Sequence, residues 1–200
     1  MTAVPPATRG TTAALLDPTD CLLAIVDVQT GFIDRLGHDV AARLLEHVTL
    51  VATSARWLQM PTLVTVERPE AWGETHPTVA GASTSGAQLR KEVFGLGDDP
   101  AALRAVAAAG RGTVVLCGME TEVCITHSAL SLLERDYAVA CIADAVASPD
   151  DAGHRLGLER MRDAGVVLLS AKQLHYEWMR TVAQARSFRA EHPEVEDRLL

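Results

Sequence analysis

The chain has 200 residues, of which 48% are hydrophobic and 22% are charged, and its formal net charge at pH 7 is −8. This length is enough for one sizeable hydrophobic core and short for two, so we expect a single domain. The acidic balance argues against a nucleic-acid partner. No apolar run approaches the length of a membrane-spanning helix, which argues against a membrane protein.

The first 20 residues, MTAVPPATRGTTAALLDPTD, are rich in Pro, Thr and Ala. They lack the charged and then apolar layout of a signal peptide. We therefore expect a flexible N-terminal arm over residues 1–20, one domain with a C-terminal helical tail over residues 21–200, and a cytoplasmic location.

Short apolar runs alternate with helical patterns along the first half of the chain. Residues 21–27, CLLAIVD, are typical of a strand that is buried on both faces. Residues 39–58 have apolar side chains at helical spacing, and residues 61–67 predict a second buried strand. Residues 68–90 are rich in Pro, Gly, Ser and Thr, so we interpret them as a long loop of the kind that is often functional.

The alternation continues in the second half of the chain. The predicted elements are a helix over 100–110, a strand over 113–117, a helix over 121–136, a strand over 137–144, a helix over 148–165 and a strand over 166–170. From Ala171 the pattern is helical, with a break near Pro193. This order predicts an α/β fold of three layers, in which helices cover both faces of a parallel sheet and right-handed crossovers join its strands.

In such a sheet, ligands bind beyond the carboxyl ends of the strands. The residues that follow the predicted strands are Asp27, Glu67, Gly118 to Cys124, Asp144 and Ser170. We interpret Glu67 and Asp144 as strand-end residues that satisfy nearby amides.

The four cysteines form neither a Cys-x-x-Cys pair nor a cluster with histidine, so neither a disulfide framework nor a zinc site is expected. Cys21, Cys117 and Cys141 lie in or beside apolar strands, where free cysteine packs as a small hydrophobic residue. Cys124 lies in the first turn of a predicted helix that Thr121 could cap, where amides and the helix dipole favour a thiolate. Its spacing alone fits a packed helix residue and a nucleophile equally well.

Two further residues could support a nucleophilic thiol. Asp27 ends the first buried strand, where it could cap the next turn or act as a base. Lys91, in QLRKEVF, is by itself an ordinary surface lysine. Together with Cys124, these residues could provide a base, a cation and a nucleophile at one edge of the sheet.

Three segments together resemble the isochorismatase-like cysteine hydrolase superfamily: LLAIVDVQTGFID, RKEVF and VVLCGMETEVCITHSALSLLERDYAVACIADAVAS. The resemblance runs from about Cys21 to Lys172, and LCGMETEVC with ERMRDAGVVLLS is similar to the isochorismatase-domain-containing branch. The resemblance implies a Rossmann-like, three-layer fold with a six-stranded parallel sheet. It also implies a catalytic triad, with Cys124 as nucleophile, Asp27 as general base and Lys91 as cation.

The same resemblance implies a cis peptide bond, not at proline, between Met119 and Glu120. That bond would direct the amides of Glu120 and Cys124 at a developing oxyanion. We further expect four residues to contact substrate: Gln29, Phe32, Trp72 and His127. Core packing is the alternative for Phe32, and capping or packing is the alternative for His127.

No metal ion and no cofactor is expected. The related nicotinamidases carry an Asp-x-His metal motif after the second strand, where this chain has VERPEAWGETHP with only His76. The seven histidines are scattered, with no pair at ligand spacing. Isochorismatases proper replace the cysteine, so we do not expect that activity either.

These features predict a cysteine-dependent hydrolase that cleaves an amide-like C–N bond of a small molecule through a thioester. One alternative is a family member that has lost catalysis and acts as a binding or assembly partner. Another is a nucleotide-binding oxidoreductase, although DVQTGFID lacks the Gly-x-Gly-x-x-Gly turn. The tail suggests a homo-oligomer, because it carries more apolar residues than one terminal helix would bury: Leu174, Tyr176, Trp178, Met179, Val182 and Phe188.

Overall fold

The computed structural model describes residues 14–80, 88–195 and 199–200. Their centre is a six-stranded sheet in the order β3-β2-β1-β4-β5-β6, in which every neighbouring pair is parallel. The strands are β1 (Cys21–Val26), β2 (Thr62–Glu67), β3 (Leu89–Lys91), β4 (Thr113–Met119), β5 (Ala138–Ala147) and β6 (Val167–Leu169). The predicted six-stranded parallel sheet is confirmed.

Helices cover both faces of this sheet. The α-helices are α1 (Thr30–Ile33), α2 (His38–Trp57), α3 (Pro69–Trp72), α4 (Pro77–Ala80), α5 (Pro100–Ala108), α6 (Thr126–Leu133), α7 (Asp151–Asp163), α8 (Ala171–Met179) and α9 (Val182–Glu191). Alternate residues of a strand point to opposite faces. Leu23 and Ile25 of β1 therefore pack in the layer that contains α2 and α8, while Leu22 and Ala24 pack in the layer that contains α5 and α6.

The order of the strands reverses between β1 and β4, the position at which a parallel sheet forms a crevice at its carboxyl edge. From β1 the chain moves outward to β2 and β3, then returns to β4 beside β1 and moves outward in the other direction. Ligands bind where the strand order reverses in this way. The Cα register pairs Val26 with Gly118 at this point, so the residues that follow β1 and β4 lie next to each other.

Gly118 is required for that close approach. Its φ is +124°, and a Cβ at this position would lie 1.9 Å from the carbonyl oxygen of Val26. No side chain fits against a backbone oxygen at that distance, so only glycine lets β1 and β4 meet at the crevice.

The structure differs from the sequence prediction in three segments. Part of residues 68–90, predicted as a loop, forms α3, α4 and β3, and residues 81–87 lie outside the described residues. The predicted helix over 121–136 begins as a π-helical turn, Thr121–Ile125, before α6. The tail breaks at Arg180, with φ of +60°, and its second helix, α9, ends at Glu191, directly before the predicted break near Pro193.

The tail covers most of its own apolar residues. Leu174, Trp178, Met179 and Phe188 are buried within this chain, because α8 packs against α2 and β5 and α9 packs against α8. Of the six apolar tail residues that suggested an oligomer, only Tyr176 and Val182 are exposed, at 43% and 70%. The tail therefore supplies much less unpaired apolar surface than its sequence suggests.

The N-terminal arm is described from residue 14 onward, and the expectation of flexibility for residues 1–13 lies outside the described residues. Pro18–Asp20 form a 3₁₀ turn. The Leu16 amide donates to the Glu177 carboxylate at 2.8 Å, and Arg180 donates to the Leu16 carbonyl at 2.9 Å. This part of the arm is thus tied to α8. No helix in the described part of the chain is both long enough and apolar enough to cross a membrane.

Replacing Gly118 with alanine is expected to lower the free energy of unfolding by about 3–4 kcal/mol, through steric overlap and positive φ together. Gly110→Ala is the matched control, since Gly110 also has positive φ but a Cβ there would meet no atom within 4 Å. We expect Gly110→Ala to cost about 1 kcal/mol. Urea unfolding of the three proteins measures both values, and equal losses would contradict the steric argument.

Candidate active site

Asp27 begins the site at the end of β1. Its φ of +52° turns the chain out of the strand in a left-handed conformation that is uncommon for aspartate. Its amide donates to the Thr65 carbonyl at 3.1 Å, and the Thr65 hydroxyl donates to Asp27 Oδ1 at 2.9 Å. The side chain is completely buried. Thr65 of β2 therefore fixes Asp27 through two hydrogen bonds, one to its backbone amide and one to its carboxylate.

Lys91 reaches the same place from the edge strand. It ends β3, and its side chain is completely buried, so it is not the surface lysine that its local sequence suggests. Its Nζ lies 2.5 Å from Asp27 Oδ2 and donates to Cys124 Sγ at 3.5 Å and to the Val93 carbonyl at 3.2 Å. The structure therefore brings Asp27, Lys91 and Cys124 together.

Cys124 lies in the π-helical turn that follows β4. The amide of Ile125 donates to the Glu120 carbonyl at 3.1 Å, which closes the wider π-type ring. The peptide bond between Met119 and Glu120 is cis. Thr121 does not cap the turn as predicted: its hydroxyl is 2.8 Å from His154 Nδ1, and its amide donates to Ser148 at 2.9 Å.

Burial dominates the ionisation of the thiol. It raises the pKa of Cys124, the negative charge of Asp27 raises it further, and Lys91 opposes both effects. This reverses the expectation from the helix start, because desolvation of a thiolate outweighs the local dipole. The pKa of Lys91 is also raised: burial lowers it, but Asp27 and Cys124 outweigh burial. The resting pair is therefore a neutral thiol beside a charged ammonium, and the thiol needs a base.

Glu67 is the residue that sequence reasoning missed. Its Oε2 accepts a hydrogen bond from Cys124 Sγ at 3.6 Å, and its Oε1 lies 3.3 Å from Arg68 Nε. Glu67 is thus a second carboxylate at the thiol and not a residue that satisfies a nearby amide. Its position at the carboxyl end of β2 was the available signal. Asp144 does behave as interpreted, since it accepts from the Ala171 amide at 2.7 Å.

Gln29 holds Glu67 in place. Its Nε2 donates to the carbonyls of Glu67 at 3.0 Å and Gly73 at 2.6 Å, and its Oε1 accepts from the Glu67 amide at 2.7 Å. Both N–H groups of the amide are used, and the residue is completely buried. Gln29 therefore positions Glu67, and its contact with substrate stays a prediction.

The other predicted substrate residues form two groups. Phe32 is buried in the core and stacks on Trp72, with ring centroids 4.6 Å apart. The guanidinium of Arg35 lies 5.7 Å from the Trp72 centroid, and its Nη1 is 2.7 Å from Glu120 Oε1, which connects this stack to the turn before Cys124. His127 is exposed and packs edge-on against Phe94, with ring centroids 5.5 Å apart.

The potential ligand atoms of Asp27, Glu67 and Cys124 all lie within 4.8 Å of one another. Within residues 14–80, 88–195 and 199–200, this is the one such group of three. However, the Lys91 ammonium already lies against two of its members, at 2.5 and 3.5 Å. A cation of the protein itself thus balances these acids, and we assign none of them as a metal ligand.

Comparisons with known proteins agree with this geometry. The family model "Isochorismatase domain" matches residues 21–173. Isochorismatase domain-containing protein 2 of Xenopus laevis is 32% identical over 139 residues, which are 66% of this chain and 60% of that protein.

Two solved structures share the fold at 22% sequence identity. The MAR1 ribonuclease of Caenorhabditis elegans has a TM-score of 0.82, over 92% of this chain and 94% of that one. The YcaC gene product of Escherichia coli, described as an octameric hydrolase of unknown specificity, has a TM-score of 0.80, over 96% and 95% of the two chains.

The chain therefore belongs to the isochorismatase family, in the branch of the isochorismatase domain-containing proteins. Proteins of this family are generally hydrolases.

Limiting iodoacetamide should label Cys124 at least about tenfold faster than Cys21, Cys117 or Cys141, because the Lys91 ammonium stabilises its thiolate. Burial raises the pKa of all four thiols, so the expected difference in rate rests on the cation beside Cys124. Labelling of Cys124 should rise with pH, since its own pKa is also raised. Mass spectrometry of tryptic peptides measures the rates, and faster labelling of Cys117 or Cys141 would reject the assignment.

Proposed function

We propose that the protein is a cysteine-dependent hydrolase that cleaves an amide-like C–N bond of a small molecule through a thioester intermediate. One observation carries this proposal. The Lys91 ammonium lies between the Asp27 carboxylate at 2.5 Å and the Cys124 sulfur at 3.5 Å, and all three residues are buried. A base, a cation and a thiol in contact are the parts that nucleophilic acyl transfer requires.

The chemistry runs in two halves. In the triad pattern, Asp27 takes the thiol proton while Lys91 stabilises the thiolate, which attacks the carbonyl carbon of the substrate. The carbonyl oxygen becomes an oxyanion near the amides of Glu120 and Cys124, and the C–N bond breaks as the nitrogen is protonated. Water then attacks the thioester, and the C–S bond breaks to release the acid and the thiol.

The enclosure of the thiol favours a small substrate. Cys124 is only 3% exposed, and Asp27 and Lys91 are buried more completely. A nucleophile at that depth is accessible to a compact molecule and not to a folded polymer. We also propose that the Phe32–Trp72 stack and Arg35 form the wall nearest to Glu120, with Trp72 as its part-exposed surface.

A nucleic-acid substrate is the main competing class, since one structural neighbour is described as a ribonuclease. The charge of this chain speaks against it. The formal net charge is −8, and the carboxylates of Asp27 and Glu67 lie at the thiol. Phosphodiesters are repelled by such a surface. A catalytically silent assembly partner is disfavoured for a different reason. Burying the ion pair of Asp27 and Lys91 costs desolvation free energy, and a role in activating the thiol explains why the pair is present.

We also propose that the protein works in the cytoplasm, in which its four free cysteines stay reduced. A homo-oligomer is the proposed assembly, and its support is the octameric state of the Escherichia coli neighbour rather than the tail.

Cys124→Ser is expected to lower the rate of ammonia release from a primary amide substrate by at least about 10³-fold, because this site does not activate a serine hydroxyl. Cys141→Ala, which removes a buried sulfur from β5, is the control that should retain activity.

Exhaustive dialysis against EDTA should leave activity unchanged. Loss on chelation with recovery on adding zinc or manganese would overturn the metal-free mechanism.

Light scattering at micromolar concentration should give a mass that is a multiple of the 21.4 kDa chain. Exposed large apolar side chains are the candidates for burial in such an assembly, and in the described part of the chain they are Leu15, Val93, Phe94, Leu156, Tyr176 and Val182. A mass close to one chain would refute the oligomer and leave the proposed chemistry intact.

A further inference from the structure

We propose that Glu67 is a second catalytic carboxylate of this site, which accepts the proton of the Cys124 thiol and returns it to the leaving nitrogen. The inference rests on the proposed cysteine hydrolysis and refines one step of it. The triad pattern gives both proton transfers to Asp27 alone, whereas the structure places two carboxylates at the thiol.

The first argument is which oxygens are already occupied. Asp27 Oδ2 is held by Lys91 at 2.5 Å, and Asp27 Oδ1 accepts from Thr65 at 2.9 Å. Glu67 Oε2 instead accepts the hydrogen bond of the Cys124 thiol, at 3.6 Å. A donor transfers its proton along a hydrogen bond it already makes. The Cys124 thiol also hydrogen-bonds to Asp27, which helps to raise the pKa of the thiol, but both Asp27 oxygens already hold another donor. The geometry therefore favours Glu67 as the acceptor.

The second argument is that Glu67 is held rigidly. Gln29 bonds to both its amide and its carbonyl, at 2.7 and 3.0 Å. The register of the sheet pairs Glu67 with Lys91 on the neighbouring strand. Arg68 holds the other carboxylate oxygen, at 3.3 Å. A carboxylate fixed from its backbone and from Oε1 keeps Oε2 directed at the sulfur, as a proton acceptor must be.

The third argument concerns charge. The charged and titratable groups that face Glu67 are Arg68, Lys91, Asp27, Glu120 and the Cys124 thiol. Moving the proton from Sγ to Oε2 neutralises one of the two carboxylates at the thiol and leaves a thiolate against the Lys91 ammonium. The total charge of the site does not change, so no uncompensated charge is created in a buried place.

The step balances as follows. The thiol proton moves to Glu67 Oε2, the new thiolate forms the C–S bond, and the carbonyl π pair moves to oxygen. When the intermediate collapses, the C–N bond pair leaves with nitrogen, which takes the proton from Glu67. Glu67 is a carboxylate again, and Asp27, still paired with Lys91, remains as the base for the water that hydrolyses the thioester.

The test uses iodoacetamide, which needs no knowledge of the substrate. At neutral pH, Glu67→Gln should alkylate Cys124 more slowly than the unchanged protein, by roughly tenfold or more, because the internal proton acceptor is lost. The opposite sign is expected if Glu67 is only a neighbouring charge. Its negative charge raises the pKa of Cys124, so its removal would then speed alkylation.

The pH profile separates proton transfer from a structural effect. The deficit of Glu67→Gln should be largest near neutral pH and should vanish at high pH, where hydroxide removes the thiol proton. Glu70→Gln is the matched control, since Glu70 lies three residues away, is exposed and pairs with Arg90. It should label at the unchanged rate. An equal or faster rate for Glu67→Gln would overturn the proposal.

A second variant decides the question if Glu67→Gln does not fold. Glu67→Asp retains the charge but withdraws the carboxylate from the sulfur by one methylene group, so alkylation should slow at neutral pH and recover at high pH. An unchanged or faster rate would reject the role of Glu67. The proposed hydrolysis has its own test, since it is rejected if the Cys124→Ser protein still cleaves the amide. That result would not change the measured alkylation rates.

Discussion

A lysine ammonium buried against a carboxylate and a thiol is the interaction on which this site depends. Removing either member of such a pair would leave one uncompensated charge inside the protein, at a cost of about 3–5 kcal/mol. Lys91 ends the edge strand β3, Asp27 follows β1 and Cys124 follows β4. The ends of three separate strands therefore meet at one ion pair. The pair thereby couples the folding of distant segments to the chemistry of one sulfur atom.

The sheet makes that convergence possible through its order rather than through any single contact. Parallel strands place all their carboxyl ends at one edge, and the reversal between β1 and β4 opens a crevice there. Gly118 lets β1 and β4 approach each other closely, because a Cβ at this position would overlap the Val26 carbonyl. The sheet thus determines where the site lies, while Gln29, Thr65 and Arg68 determine how its carboxylates point.

Much of this arrangement could be predicted from sequence, because it depends on patterns that are local. Apolar runs marked the buried strands, and the positions of Asp27 and Cys124 after two of them marked the edge. The environment of the thiol could not be predicted in the same way. The helix start suggested a lowered pKa, whereas burial raises it, and burial is a property of the whole fold.

Glu67 and the tail illustrate the same limit. Whether the Glu67 side chain faces an amide or a thiol depends on its register with Lys91 and on Gln29, which is distant in sequence. In the tail, the break at Arg180 has neither glycine nor proline to signal it. Only after that break is known does it follow that a separate helix, α9, packs against α8 and buries Phe188, which leaves little apolar surface of the tail for a partner.

The short edge strand β3 has a consequence for how the proposed activity would be lost. It has three residues, pairs with β2 alone, and carries Lys91 at its end. Edge strands open in local fluctuations that need far less free energy than global unfolding. Detachment of β3 would withdraw the ammonium and leave Asp27, Glu67 and the thiol without their cation, while the other five strands stay intact. Inactivation by heat or denaturant can therefore precede unfolding of the core, as two separate transitions.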